Sequence, residues 1–266
     1  MIAALLWPAA PALANAGEAW GLPLRGEAAE SFLREARVVH RRALGTGITG
    51  SDQLTLDDGT AEHKAVWKTI NEFRRGVTSF EGGGVMVDYE DSYRFEIAAY
   101  ELDKLLGFEL VPPTIERRIE SKTGSLQLWV EGAMTEGDRK KKGLVPPDLE
   151  AWNTQIHTLR LLHQLTFDWD AQNVHNVLLD PSFRVYAIDF SRSFAAYEQL
   201  RSDKLLVRFP RAGLEALRRL DEATLQAKIG RWISRPQVRA LLKRRDRILV
   251  LAQKRVAEQG EAAVLY

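Results

Sequence analysis

Residues 167–180 read FDWDAQNVHNVLLD, and residues 187–191 read AIDFS. Asp168, Asp170, Asn173, Asn176 and Asp189 stand within these two runs, and the apolar stretches Asn176–Leu179 and Val185–Ile188 read as short strands. The turn Asp180-Pro181-Ser182 between them makes a hairpin. A carboxylate directly after an apolar strand, as Asp189 is, is costly unless a cation or donor meets it. A phosphoryl-transfer site needs one carboxylate to orient or deprotonate the attacking hydroxyl. It also needs an amide oxygen and a second carboxylate to hold Mg²⁺ against the phosphates. Asp170, Asn176 and Asp189 supply that set in chain order, while Asp168 and Asn173 offer a second assignment of the first two roles. The plainer reading is a polar turn, because Asp and Asn favour turns on their own account.

Working outward toward the N-terminus, residues 45–50 read GTGITG. In a dinucleotide-binding fold such glycines follow a strand and open a helix. Here the residues before them read as a helix, Glu27 to Arg41 with Ala28, Phe32, Ala36 and Val39 at helical spacing and Gly45 as its end. An extended segment follows. A glycine loop leading through extended segments to Ala65-Val66-Trp67-Lys68 is instead an arrangement that covers nucleotide phosphates and offers them one lysine. Gly45, Gly47 and Lys68 are its candidate residues, and an ordinary loop with a strand-end lysine is the alternative. From Ser92 the spacing of Phe95, Ala98, Ala99, Leu102, Leu105 and Leu106 predicts a helix stopped by Gly107. Glu96, in its first turns, is placed to pair with Lys68, and Glu101 and Asp103 are rivals that position alone separates from it.

The remaining pattern divides the chain. Leu54–Leu56 and Ala65–Ile70 read as strands about the turn Asp58-Gly59, and Gly76 to Asp91 reads as irregular. Val111–Ile115 and Gly124–Val130 read as extended, and Gly137 to Pro147, with the basic run Arg139–Lys142, as a surface connector. Asp148 caps a helix over Leu149–Leu165; helices over Leu214–Leu220, Ala223–Ile233 and Gln237–Val256 complete the chain, the last started by Ser234 and Pro236. Sheet first and helices last predict an α+β fold of two lobes with a crevice between them. The expected divisions are an N-terminal segment 1–16, a leading helical segment 17–44, an N-lobe 45–131 and a C-lobe 132–266.

Composition narrows the chemistry. The 266 residues include no cysteine, which excludes disulfides, cysteine-ligated metals and thiol nucleophiles. The formal net charge of +1 gives no reason to expect a nucleic acid partner. His157 and His163 lie on one helix at a spacing that separates their faces, and His175 reads as a turn residue. No G-x-S-x-G, H-E-x-x-H or P-loop lysine motif is present. Residues 1–16, MIAALLWPAAPALANA, end in a small-x-small pattern that suits a cleaved export signal, although they lack a basic start and are too short and proline-broken to span a membrane. A cytoplasmic protein and an exported one are both consistent with this sequence, and no transmembrane segment is expected.

Taken together, Ala65–Lys68, the run Phe95–Phe108 with Val111-Pro112-Pro113, Gly124–Gly132, Asp170–Asn176 and Ile188–Ser191 resemble bacterial members of the protein-kinase-like superfamily, related to the phosphoinositide-kinase and HipA branches and including secretory-pathway kinases. The resemblance covers roughly residues 45 to 195, in the expected order. It implies a bilobed kinase-like fold and an ATP- and Mg²⁺- or Mn²⁺-dependent transferase acting on a hydroxyl-bearing acceptor. Lys68 would contact the α- and β-phosphates and Glu96 would hold it. Glu131-Gly132 would form the hinge whose backbone binds adenine. Asp170 would be the catalytic carboxylate, and Asn176 and Asp189 the metal ligands. Three departures stand out. Asn176 is six residues after Asp170 where five is usual, Ala171 stands where a basic neighbour is common, and Ser191 replaces the glycine of Asp-Phe-Gly. These leave room for a pseudokinase acting as an interaction module, and for an AMP-transferring enzyme on the same platform.

Overall fold

The computed structural model describes residues 21–45, 50–79 and 85–266. The expected export signal 1–16 and Gly47 lie outside them. Helix α1 (Gly26–Glu35) buries Ala29, Phe32 and Leu33, a face one residue round from the one the spacing suggested, and Ala36 leaves it in extended conformation. Arg117 donates to the carbonyls of Leu33 and Ala36 at 2.7 and 2.6 Å, satisfying groups the helix end would otherwise orphan. The chain then becomes strand β1 (Arg37–Ala43), not the expected continuation of the helix to Arg41. The β-branched pair Val38-Val39 favours a pleated ladder, and β1 finds one against β2 (Asp52–Asp57). The glycine run therefore joins two antiparallel strands, closed at its mouth by the Leu44 N–H on the Ser51 carbonyl at 2.8 Å.

Strand β3 (Glu62–Lys68) follows a turn in which the carboxylates of Asp57 and Asp58 accept from the next backbone N–H groups. Residues expected to be irregular form β4 (Asn71–Ser79) and β5 (Val85–Ser92), an antiparallel ribbon of its own. Its glycines hid the alternation. Gly76 takes a positive φ of 82° at the register shift and its N–H bonds Asp88, so one of them makes a bulge without ending the strand. Helix α2 (Tyr93–Leu106) starts on the Ser92 hydroxyl and ends on Gly107 in the left-handed region. Strands β6 (Thr114–Ile119) and β7 (Lys122–Leu128) complete an antiparallel sheet in the order β1-β2-β3-β7-β6.

Beyond it come β8 (Met134–Thr135) and helix α3 (Glu136–Lys141), which replaces the expected connector: Thr135 caps it, and Glu136 pairs with Arg139. Helix α4 (Leu149–Thr166) is capped by Asp148. Strands β9 (Val177–Leu179) and β10 (Val185–Ala187) form the expected hairpin, which β8 extends to a small sheet. Helices α5 (Arg211–Arg219), α6 (Glu222–Ile229), α7 (Arg235–Gln259) and α8 (Glu261–Val264) close the chain, α7 starting in a capping box of Ser234 and Gln237.

Among the described residues, two hydrophobic cores result. One sits between α1 and the five-stranded sheet, around Phe32, Leu33, Leu54, Trp67 and Leu126. The larger lies among the helices, and α2 belongs to it: Phe95, Ala99, Leu102 and Leu106 pack with Leu162, Phe194 and Leu217. By packing, then, α1 and β1 go with the sheet, while α2 lies between the two halves, its apolar face among the helices and its flank against β6 and β7.

Candidate active site

Strand β3 delivers Lys68 to the edge of the sheet facing the helices. Its Nζ lies 2.6 Å from Glu96 Oε1 and 2.7 Å from Asp189 Oδ1. Glu96, one of the few buried charges of α2, uses its other oxygen to accept the Phe190 N–H at 3.0 Å. One carboxylate thus fixes both the lysine and the backbone just after Asp189. The two carboxylates overcome the desolvation of Lys68 and hold its ammonium well above its usual range. Lys68 in turn holds Asp189 below the usual carboxylate range. The rivals of Glu96 are engaged elsewhere: Glu101 pairs with Lys104, while Asp103, pushed up to about 7 by burial, accepts the N–H groups of Leu110 and Val111.

Asp189 adopts φ 65°, a left-handed conformation that costs a non-glycine residue on the order of 1 kcal/mol or more. Its neighbours enforce it. The Ile188 N–H donates to the Asn176 carbonyl at 3.0 Å, setting Asn176 and Asp189 side by side at the hairpin end, and the Ser191 carbonyl accepts the Ser92 N–H at 2.8 Å. Asn176 is buried; its Oδ1 accepts from Asn173 Nδ2 at 3.1 Å and its Nδ2 has no partner. Asn173 is held by the His175 N–H at 3.0 Å, so it serves Asn176 from behind.

Asp168 and Asp170 are placed differently. Asp168 is 3% exposed, accepts the Asp170 N–H at 2.9 Å and lies 3.6 Å from His163 Nε2. Burial pushes its carboxyl up to about 7 and drives the His163 imidazolium down to about 4. Asp170 is only partly buried, and its Oδ2 pairs with Arg192. Burial and the Asp189 charge push the Asp170 carboxyl up against the pull of Arg192.

The hinge segment brings a correction. The Glu131 N–H and carbonyl both pair with Gly21, at 2.8 and 2.9 Å, and its side chain meets Lys64 at 3.3 Å. The backbone groups assigned to adenine at Glu131 are therefore already occupied by the chain leading into α1, and Gly132 follows in a left-handed turn with φ 65°. Gly45 stands at the base of the β1–β2 loop, with open space where a Cβ would lie.

Against solved structures, the chain is similar to a hydra Fam20 protein determined with a sugar, at a TM-score of 0.67 and 14% identity, over 89% of this chain and 90% of that one. It is also similar to the Golgi casein kinase, at a TM-score of 0.62 and 14% identity, over 88% of this chain and 77% of that one. The fold is protein-kinase-like. No family model matches the sequence, and no curated protein matches it. Among the described residues, no helix is long and apolar enough to cross a membrane, and no three His, Asp or Glu side chains converge as a closed metal cage.

Sequence reading missed two participants. Arg192, three residues past Asp189, is the partner of Asp170, and a basic residue so near a candidate metal ligand was a usable signal. Asp91 is 2% exposed and its Oδ2 accepts from the Tyr89 hydroxyl at 3.0 Å, while its Oδ1 has no partner. It was hidden in the stretch read as irregular. Beside Arg192 a cavity of about 410 Å³ opens between the β4–β5 ribbon and the helical half, walled by Phe73, Tyr89, Trp169, Tyr197 and Gln237.

Proposed function

We propose that this chain is an ATP- and divalent-metal-dependent phosphotransferase of the kinase type, acting on a hydroxyl-bearing acceptor. The observation that carries the reading is the triad in which one lysine is held between the buried Glu96 and the half-buried Asp189. Such an arrangement presents a fixed cation beside a strained, ionised carboxylate, and a purely structural fold has no need of it.

The donor set suits Mg²⁺ or Mn²⁺. Asp189 is ionised, the adjacent buried Asn176 retains an amide oxygen lone pair, and few protein oxygens are needed when phosphates and water supply the rest. A divalent ion bound there would neutralise charge on the phosphate oxygens. Lys68 neutralises the phosphates on the sheet side and Glu96 keeps it aimed. Gly45 and Gly47 belong to the loop that covers the phosphates. Adenine hydrogen-bonds hinge backbone beside Glu131, with Gly132 allowing close approach. Asp170, the outward-facing carboxylate, accepts the proton of the acceptor hydroxyl. That oxygen bonds to the γ-phosphorus while the bond from phosphorus to the β–γ bridging oxygen breaks, and ADP leaves with the electron pair. Asp168, buried beneath, positions the loop through the Asp170 N–H and is not the base. The cavity beside Arg192 is the approach for the acceptor.

On this reading residues 45–131 and 132–266 bear the two walls of the catalytic crevice. The likeness to a Golgi kinase supports an exported protein and a secretory-pathway relationship. An N-terminal residue beyond 16 in the mature protein is expected, and an intact Met1 would remove export. Relationship to the phosphoinositide-kinase and HipA branches rests on the sequence motifs alone.

The test is thermal unfolding with ATP and Mg²⁺. Wild type should be stabilised only when both are present, and Asp189→Ala should lose the effect. Absence of stabilisation in wild type overturns the reading in favour of an interaction module, for which Ala171 is the motivating residue. Label transfer from α- rather than γ-phosphate would replace phosphoryl by AMP transfer.

A further inference from the structure

The segment from Asp168 to Asn176 contains neither lysine nor arginine, so the loop bearing Asp170 has no cation of its own. Lys68 does not fill the gap, because its close partners are Glu96 and Asp189, neither of which belongs to that loop. Phosphoryl transfer spreads negative charge over the three equatorial oxygens as the bond to the leaving group lengthens, and a site that excludes water must meet that charge with fixed donors.

Resting on the phosphotransferase reading above, we propose that Arg192 is a further catalytic residue: its guanidinium binds the terminal phosphate of the nucleotide and replaces the cation missing from the catalytic loop. Three observations carry this. The guanidinium lies on Asp170 Oδ2. Its backbone is tied to the catalytic loop, the Arg192 carbonyl accepting the Trp169 N–H at 3.4 Å. The side chain remains 28% exposed, in the wall of the acceptor cavity. Guanidinium presents five donors in a planar fork, so Arg192 can keep one edge on Asp170 while the other takes phosphate oxygens. The γ-phosphorus must lie within reach of both an oxygen held by Asp170 and a metal held by Asp189, and a fork resting on Asp170 lies beside that place. The role differs from that of a structural ion pair, which would steady the loop but would not distinguish a triphosphate from a diphosphate.

That difference is the test. Calorimetric titration of wild type, Arg192→Lys and Arg192→Gln is carried out with Mg²⁺ and either ADP or the non-hydrolysable ATP analogue AMP-PNP. Loss of a charge-assisted contact to phosphate should weaken AMP-PNP binding to Arg192→Gln by roughly tenfold or more, with ADP affinity within about twofold of wild type. Arg192→Lys, which keeps charge but not the fork, should fall between them. It also carries the test if the glutamine variant does not fold. Equal changes for both nucleotides, or no change for either, would overturn the role of Arg192 while leaving the phosphotransferase reading intact. A wild type that binds neither nucleotide would sink both.

Discussion

Glu96→Gln tests the centre of the site with almost no change of shape. Glu96 makes two contacts from a side chain that is 2% exposed: Oε1 accepts from the Lys68 ammonium at 2.6 Å, and Oε2 from the Phe190 N–H at 3.0 Å. Glutamine has one acceptor and one donor end, so whichever way its amide turns, an N–H faces another N–H. Breaking one partner from a buried pair costs about 3–5 kcal/mol. Because Lys68 keeps Asp189 at 2.7 Å, the lower end, about 3 kcal/mol, is expected. For a chain of this length each kcal/mol moves the midpoint by about 2–4 °C, so scanning calorimetry should show a fall of roughly 6–12 °C. The fall should be nearly the same in low salt and in 0.5 M salt, since ions screen exposed pairs and not buried ones. In the variant Lys68 also has only Asp189 to lean on, so the stabilisation by Mg²⁺ and ATP should shrink as well. A variant melting within about 1 °C of wild type, or a loss that salt abolishes, would refute the buried-pair reasoning.

Gly124→Ala should be severely destabilising, by more than about 2 kcal/mol in urea unfolding, because its Cβ would sit 2.2 Å from the Lys68 carbonyl oxygen with no flexible side chain to give way. Asp170→Asn should abolish transfer of γ-phosphate while retaining nucleotide-dependent stabilisation, whereas Asp168→Asn should reduce activity only in proportion to loop disorder, so comparing turnover with binding in the two variants decides their roles. His163→Phe should reveal the titration of the His163–Asp168 pair. Between pH 4 and 6.5 the unfolded chain binds a proton on histidine that the folded protein, with His163 lowered to about 4, does not, so this residue makes stability rise with pH. Asp168, raised to about 7, has the opposite slope and largely cancels it. Stability of wild type relative to His163→Phe should therefore climb by up to about 1.4 kcal/mol per pH unit over that window, and a difference independent of pH would show that His163 is charged in the folded state.

The hairpin of Asn176–Leu179 and Val185–Ile188 and the capped helix carrying Glu96 were legible because apolar periodicity, Asp180-Pro181-Ser182, Ser92 and Gly107 each signal locally and agree with one another. Their polar ends then follow from the strand and helix ends they occupy. What escaped was set by tertiary pairing. Val38-Val39 can continue a helical stripe or start a strand, and only the presence of β2 decides; the β4–β5 ribbon is likewise held by a partner beyond a glycine run. The pairing of Glu131 with Gly21 joins residues with no common local pattern. Asp168 and Asp170 are two apart in a loop, where no periodicity says which carboxylate turns inward, and His163 on α4 makes that choice visible only in three dimensions.

Helix α2 carries Glu96 to a lysine of the sheet, yet its apolar side is sunk among the helices, with Phe95 against Phe194 at 5.7 Å between ring centroids. Swinging this helix outward to disarm the site would mean pulling Phe95, Leu102 and Leu106 out of the larger core, at roughly 1.5–3 kcal/mol for each side chain exposed. Because α2 also packs against β6 and β7, and its Tyr100 and Lys104 both bond Glu30 of α1, it is clamped from two sides, and any signal that parts Lys68 from Glu96 has to work against both sets of contacts.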